Sequence, residues 1–380
     1  MSSSPIALAA WTCLIVAVGA MSTDQSVGDA PTDADRAAVV RAAVARVAPS
    51  IVTIETIGGV QPVEPAPGTQ PARRRGGTEF RIADGPTSGL IYSADGMIVS
   101  SSFNFARDPS VITVVLADGR RFVGRLLARD SIRRLALLRI DAADLPAAEW
   151  ADPAGVQVGQ YAMACGRGFG GAVPSVSVGI VSALRRRSGH AIQTDAKLSP
   201  ANYGGPLIDI DGRVLGICVP LAGGGGELAG VEWYDSGIGF AIPRAGVEAA
   251  VPRLARGENI EPGRVGVLLE MKAPESEEEG EAAPRVQIVG VADPSPARDA
   301  GLRPGDAILA LDGAAVGDVP ELQRRLSDVE AGTVITLTIE RAGQSMDVKV
   351  KLAAARNIGS FPQPPPVGPP TTQPERPPPS

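Results

Sequence analysis

The loop at residues 193–208 reads QTDAKLSPANYGGPLI. On either side of it, Val, Ile and Leu occur in short runs separated by Gly and Pro, a composition that favours many short strands. A chain of 380 residues can hold two ordinary domains together with extensions at its ends. The sequence therefore predicts a mainly β protein with more than one domain.

The 193–208 loop resembles the active-site loop of HtrA-type (DegP-like) serine proteases, whose pattern is QTDAxxNPGNSGGPL. Other motifs of that family follow at family spacing: SGLI at 88–91, GMIVSSSFNF at 96–105, LADGR at 116–120, RLALLRI at 134–140, VGQ at 158–160, GRGFG at 166–170 and GIVSAL at 179–184. The resemblance implies a chymotrypsin-like double β-barrel, with one barrel at about 50–145 and a second at about 155–245.

The resemblance places the nucleophilic Ser of the family at Tyr203, its His at Phe103 and its Asp at Arg134. Acyl transfer by a serine needs a base with a near-neutral pKa and a carboxylate that orients this base. Phe103 accepts no proton, Arg134 is a permanent cation, and a Tyr203 phenol has an ordinary pKa of about 10. In the oxyanion loop, Ala201 replaces a glycine beside Asn202 and tolerates positive φ poorly.

We therefore expect an exported pseudoprotease that is not an enzyme. The alternatives are a residually active HtrA-type endopeptidase, or a non-catalytic modulator of an active HtrA relative. His190, the sole histidine, lies at a position that the family does not use for catalysis, and we interpret it as a solvated loop residue. Lys197 and Ser199 could form a Ser–Lys dyad, but residues two apart in a loop need not face one another. We therefore interpret both as plain loop residues.

Several classes of site are not predicted. One His and no paired Cys motif argue against a metal site, and the lack of a phosphate-binding loop predicts no cofactor. The net charge of −6 gives no basic surface for nucleic acid. Cys165 and Cys218 lie in apolar, strand-like sequence and are interpreted as two buried thiols, with a disulfide as the alternative in an export compartment.

A second resemblance begins after the protease-like region. Residues 295–308 read SPARDAGLRPGDAI, close to the SPAxxAGLxxGDxI signature of HtrA PDZ domains, and we predict a PDZ domain at 258–355. In the family, a peptide adds as a strand beside the groove helix, and its C-terminal carboxylate meets backbone N–H groups of the loop before the first strand. The resemblance assigns peptide binding to Arg264, Val265, Gly266, Val267 and Leu322.

Peptides or exposed C-termini of other proteins are the expected partners, and an active HtrA-like relative is a further candidate. Arg264 replaces an apolar or aromatic residue of the family, so it either helps to hold a carboxylate or is a solvated cation. The acidic run 275–281 favours apolar or basic peptides if it lies near the groove.

The ends of the chain differ in composition from its centre. Residues 1–20 contain an uncharged apolar stretch that ends in Val18-Gly19-Ala20, which predicts a signal peptide, with an uncleaved membrane anchor as the alternative. Under either interpretation, the protein is exported to the periplasm or to the outside of the cell. The predicted divisions are a polar linker at 21–33, the trypsin-like domain at 34–251 with a disordered loop at 57–79, and a Pro-rich disordered tail at 356–380.

Overall fold

The computed structural model describes residues 32–58, 86–168, 171, 173–187, 189–220, 237–272 and 284–361. The predicted signal peptide or anchor lies outside these residues, as do nearly all of the predicted linker and of the 57–79 loop. Most of the predicted tail, from residue 362 onward, is outside them too. In the described part of the chain, no helix is long and apolar enough to cross a membrane.

The described chain begins with helix α1 (Asp33–Val47). Thr32 and Asp35 form a reciprocal capping box, in which each backbone N–H donates to the other's side chain, at 2.9 and 3.2 Å. This arrangement satisfies donors that the first helical turn leaves free.

The first β region is one antiparallel sheet of seven strands in the order β5-β4-β1-β2-β3-β7-β6. Its strands are β1 (Ile51–Ile57), β2 (Thr87–Ile91), β3 (Met97–Ser101), β4 (Val111–Val115), β5 (Arg121–Val123), β6 (Arg125–Asp130) and β7 (Leu135–Arg139). Val52, Ile91 and Ile98 belong to its apolar interior, which excludes water completely at these side chains. Its strands lie within 50–145, the range predicted for the first barrel, and its hydrogen-bonded order ends at β5 and β6.

The second β region is a closed barrel in the order β10-β13-β12-β11-β8-β9. Its strands are β8 (Tyr161–Gly166), β9 (Ser175–Arg186), β10 (Ala191–Thr194), β11 (Pro206–Ile208), β12 (Val214–Val219) and β13 (Gly239–Pro243). Helix α2 (Arg244–Ala255) follows and buries Val247, Val251 and Leu254. The predicted catalytic loop connects β10 to β11 and is therefore held at both ends by barrel strands.

The third region is a sheet in the order β14-β15-β16-β18-β19, with β17 paired to β16. Its elements are β14 (Val267–Lys272), β15 (Arg285–Val291), α3 (Pro296–Asp299), β16 (Ala307–Leu311), β17 (Ala314–Ala315), α4 (Val319–Ser327), β18 (Val334–Arg341) and β19 (Gln344–Lys351). Strand β14 is an edge strand beside α4. The mainly β fold class, with two trypsin-like β regions followed by a PDZ domain, is confirmed.

A buried carboxylate holds the third region together. Asp306 is almost fully buried and accepts two hydrogen bonds from Arg341, each 2.7 Å long, and one of 2.8 Å from the N–H of Arg303. Burial alone would raise the pKa of Asp306, but the bonds to Arg341 and to the Arg303 N–H outweigh it and hold this pKa below its ordinary value.

Candidate functional site

The β10–β11 loop is closed on itself by its own hydrogen bonds. The backbone N–H groups of Asn202 and Tyr203 both donate to the carbonyl of Ser199, at 3.0 and 3.2 Å. The Asn202 side chain accepts from the N–H of Ser199 at 2.8 Å and donates to the carbonyl of Lys197 at 3.3 Å. Two of the N–H groups expected at an oxyanion site are therefore occupied by a carbonyl of the loop itself.

Gly204 fixes the loop against the first sheet. It has a φ of +85°, and a Cβ added to it would lie 2.3 Å from both the hydroxyl of Ser100 and the carbonyl of Ser88. Only glycine fits this contact, because it tolerates positive φ and has no side chain. The close approach brings Tyr203 to the end of β3, beside the short turn that carries Phe103.

Phe103 and Tyr203 pack as an aromatic pair. Their ring centroids are 5.4 Å apart with an interplanar angle of 79°, an edge-to-face arrangement. Only 6% of Phe103 and 5% of Tyr203 is exposed, and both belong to an apolar cluster with Leu198 and Leu207. Such a pair contributes about 0.5–1.5 kcal/mol beyond its buried area. The structure thus brings the two predicted catalytic positions together, as neighbours in a hydrophobic cluster.

Arg134 lies next to this pair through its backbone. Its carbonyl accepts from the N–H of Ser102 at 2.8 Å and from the hydroxyl of Ser101 at 3.3 Å, and its φ is +59°. Asn104 completes the contact by donating to the hydroxyl of Ser100 at 3.0 Å and to the carbonyl of Tyr203 at 3.1 Å. All three predicted triad positions therefore meet where the sheet faces the barrel.

The remaining candidates from the sequence lie in loops. His190 is half-buried in the turn before β10, and its backbone N–H donates to the backbone carbonyl of Arg187 at 3.0 Å. The N–H of Lys197 donates to the hydroxyl of Ser177 at 2.8 Å. Among the described residues, no group of three or more His, Cys, Asp or Glu side chains is placed to hold a metal ion.

Cys165 and Cys218 are free thiols buried in the barrel, so the structure favours thiols over a disulfide. Burial raises the pKa of Cys165 to about 12. Burial, and to a lesser extent the neighbouring Cys165, raises the pKa of Cys218 well above its ordinary value. Burial thus favours the protonated form of both sulfurs, which is the weaker nucleophile.

The PDZ region contains an open groove of about 330 Å³ between β14 and α4. Residues of the predicted carboxylate loop and of α4 line it, among them Val265, Gly266, Val267, Gln323, Leu326 and Ser327. Leu322 was assigned to peptide binding, but its side chain is fully buried in the PDZ core. The α4 residues that line the groove are Gln323, Leu326 and Ser327, and Leu322 has no exposed surface for a peptide to contact.

The carboxylate loop has a fixed backbone. The carbonyls of Val265 and Gly266 accept from the N–H groups of Ala297 and Ala292, both at 2.9 Å. In the described part of the chain, no protein oxygen accepts from the N–H groups of Val265 and Gly266. Arg264 is exposed and, among the same residues, has no carboxylate as an ion-pair partner. The loop thus presents unused N–H donors and a cation at one end of the groove.

A cluster of charged side chains joins the PDZ region to the trypsin-like region. Glu330, just after α4, pairs with Arg253 at 2.6 Å and with Arg133 at 3.3 Å, and Arg133 also pairs with the fully buried Asp130 at 2.8 Å. Burial disfavours ionisation of Glu330, but Arg253 and then Arg133 outweigh it and hold its pKa below the ordinary value. Arg133 directly precedes Arg134 in the chain, so this cluster begins one residue from a predicted triad position.

Comparison with known proteins identifies both regions. The trypsin-like peptidase domain model matches residues 87–217, and the PDZ domain model matches residues 263–352. The "Putative serine protease HhoA" of Synechocystis sp. is 30% identical over 352 residues, which is 84% of this chain and 85% of that protein. The chain belongs to the HtrA family of serine proteases.

Other HtrA proteins match in sequence and in structure. The "Probable periplasmic serine endoprotease DegP-like" of Chlamydia trachomatis is 32% identical over 274 residues, which is 69% of this chain and 53% of that protein. The chain thus spans about half the length of the DegP-like relatives that it matches. The solved structure "HtrA-type protease AlgWS227A with decapeptide" has a TM-score of 0.61 and 28% identity, and covers 87% of this chain and 99% of that one.

These relatives correct one prediction from the sequence. The chain was expected not to be an enzyme, and this expectation is wrong because the HtrA relatives are named serine endoproteases or proteases. The expectation came from the side-chain chemistry of Phe103, Arg134 and Tyr203 alone. Endopeptidase activity is therefore the activity of the family, and this chain must be assayed for it.

Proposed function

We propose that this HtrA-family protein is exported and captures the C-terminal segments of other polypeptides in its PDZ groove. The observation that carries the proposal is the loop of Arg264, Val265 and Gly266, which presents an exposed cation and two backbone N–H groups that have no acceptor among the described residues. A peptide carboxylate at this end of the groove would accept from the N–H groups and be attracted by Arg264.

The rest of the peptide would add as a strand to β14. This strand is the edge of the PDZ sheet, so its outer N–H and carbonyl groups are available for main-chain hydrogen bonds. Leu326 of α4 and Leu269 of β14 line the groove and would contact alternate side chains of the peptide. The solved structures of the HtrA-type protease AlgWS227A with a decapeptide and with a tripeptide support the same class of ligand. The periplasmic names of the DegP-like relatives support export.

Endopeptidase activity is the second candidate function, and the names of the relatives favour it. On motif spacing, we assign the family's triad positions to Phe103, Arg134 and Tyr203, and its oxyanion loop to Ala201 and Asn202. Phe103 cannot take a proton, so hydrolysis by this chain requires another base. An HtrA relative assembled with the chain is a further source of a serine nucleophile for the captured peptide.

Binding is tested on the full chain with fluorescent decapeptides that share one body and end in a free carboxylate or an amide. Free-acid peptides should bind at micromolar concentrations, about −8 kcal/mol, and amidated peptides at least tenfold more weakly. Gly266→Asp should abolish this binding, because Gly266 has a φ of +84° and an added Cβ would lie 2.5 Å from the Cβ of Ser295.

Gly313→Asp is the matched control. Gly313 also has a positive φ, of +77°, but an added Cβ meets no atom within 4 Å and the residue lies in the β16–β17 turn. Equal binding of free-acid and amidated peptides, or equal loss in both variants, would refute carboxylate capture. Mass spectrometry of the same samples, with fluorophosphonate labelling of the chain, measures whether the captured peptide is also cleaved and by which serine.

A further inference from the structure

Residues 355–361 lie beyond the PDZ domain but return to its peptide groove. The PDZ match ends at residue 352 and strand β19 ends at Lys351. The chain then makes a short 3-10 turn at Ala355–Asn357 and continues to Phe361. Ala355, Ile358 and Phe361 line the same cavity as Gly266 and Leu326. The groove therefore has a third wall besides β14 and α4.

Backbone hydrogen bonds hold this third wall in place. The N–H of Gly359 donates to the carbonyl of Pro294 at 2.8 Å, and the N–H of Asp293 donates to the carbonyl of Ser360 at 3.0 Å. Arg356 forms an ion pair with Glu261 on the segment that enters the carboxylate loop. The wall is thus attached to the two stretches of chain that flank the loop.

Gly359 is required at its position by packing. A Cβ added there would lie 2.1 Å from the carbonyl oxygen of Asp293 and 2.5 Å from Cδ of Pro294. Both distances are far below a van der Waals contact, so any side chain at 359 would push the segment away from the groove. The sequence of the segment therefore specifies this docked position.

The wall presents apolar surface at the carboxylate end of the groove. Cδ1 of Ile358 lies 3.5 Å from the point that a Cβ on Gly266 would occupy. Ile358 and Phe361 are each only half-buried, so a ligand can still cover part of both side chains. A peptide whose carboxylate meets the 264–266 loop would place its last side chain beside these two residues.

We propose that Ile358 and Phe361 are specificity residues of the PDZ groove, which select peptides with a large apolar C-terminal side chain by packing against it. The proposal rests on carboxylate capture by the PDZ domain and adds to it the residues that discriminate between termini. Burial of an apolar terminal side chain against this wall accounts for a preference of about tenfold over a small polar one.

The test uses the full chain and two decapeptides that differ only in a C-terminal Leu or Ser. The native protein should bind the Leu peptide about tenfold more tightly. Ile358→Ala and Phe361→Ala should each reduce this ratio to about threefold or less, while binding of the Ser peptide stays within about twofold. Gly359→Ala should give the same loss, because it displaces the wall and leaves both apolar side chains in the chain.

Val334→Ala is the matched control, since Val334 is an apolar residue of β18 that is 57% exposed and outside the groove lining. Its ratio should equal that of the native protein. A ratio unchanged in all three wall variants would overturn the proposal and leave carboxylate capture intact. Tighter binding of both peptides in these variants would also overturn it, since the segment would then compete with the ligand. If the native protein binds neither peptide, carboxylate capture fails as well.

Discussion

The site around Phe103, Arg134 and Tyr203, called the cleft below, and the PDZ groove differ in how their polar groups and apolar side chains are used. In the cleft, two N–H groups of the 199–203 loop are bonded to the Ser199 carbonyl, and Phe103 packs on Tyr203. In the groove, the N–H groups of Val265 and Gly266 have no acceptor within the described residues, and apolar side chains remain half-exposed. The trypsin-like site thus uses these N–H groups within its own loop, while the groove leaves its N–H groups to a ligand.

The largest effect should follow from placing the family's catalytic side chains at the triad positions of the cleft. We predict that combining Phe103→His, Arg134→Asp, Tyr203→Ser and Ala201→Gly gives hydrolysis of unfolded casein about 10³-fold faster than the same combination with Tyr203→Ala, because a base, an orienting carboxylate and a nucleophile then meet. Aspartate tolerates the φ of +59° at position 134 better than most residues do.

The control for this experiment carries Tyr203→Ala in place of Tyr203→Ser and should hydrolyse no faster than the native chain. Fluorophosphonate should label the first variant at position 203. Equal hydrolysis by the native chain and both variants, with labelling at another serine, would show that the family activity here uses a different site.

A second prediction concerns the buried carboxylate of Asp306, which stabilises the PDZ region and lies outside the cleft. Asp306→Asn should lower the free energy of unfolding of the PDZ region by about 3 kcal/mol, because Arg341 then loses the charge of its buried partner. Urea unfolding monitored by hydrogen exchange separates the two regions. Asp299→Asn, at an exposed carboxylate, should change it by less than about 0.5 kcal/mol. Comparable losses in the two variants would contradict the structural role of Asp306.

A third prediction concerns the charged cluster between the two regions. The pKa of Glu330 is lowered in the folded protein, so its ionised form adds stability above the unfolded pKa of about 4.3. That stability is lost as the pH falls through the lower folded value. Glu330→Gln should therefore cost about 1 kcal/mol at pH 7 and less at pH 3, measured by urea unfolding at both pH values. A cost that does not depend on pH would indicate lost packing in place of lost charge.

The smallest effect is expected at the two barrel thiols. In a Cys13→Ser background, Cys165 and Cys218 should react with a thiol reagent at pH 8 only after unfolding, since burial keeps both protonated. The measured quantity is the number of thiols modified before and after addition of guanidinium. Rapid modification of the folded protein would show that the barrel opens beneath the β10–β11 loop.

The sequence was informative where local motifs determine structure. The 193–208 and 295–308 motifs predicted the trypsin-like and PDZ folds, because turn glycines and apolar spacing are local signals. The aromatic contact of Phe103 with Tyr203 depends on packing between two β regions, and its geometry could not be predicted from spacing alone. The sequence also gave no reason to doubt Leu322 as a groove residue, since only the orientation of α4 distinguishes it from Gln323.

The third wall of the groove was missed for a related reason. Residues 356–361 were assigned to the disordered tail, and the structure describes them in a turn and a bridge to Asp293. Their pairing is formed by backbone atoms, which leave no compositional signal. Ile358 and Phe361 are nevertheless two large apolar residues directly before a Pro-rich stretch, and this contrast is the sequence feature that could have indicated a docked segment.

The open edge of β14 has a consequence for the protein at high concentration. The strand that can accept a peptide can equally pair with a β-strand of another molecule, because main-chain hydrogen bonding does not distinguish the two. At the edge of the first sheet, Asp130 of β6 already pairs with Ile260, which lies between α2 and β14. On β14, the exposed charges of Glu270 and Lys272 oppose such pairing only in part. Saturation with a peptide ligand should therefore slow the self-association of concentrated protein.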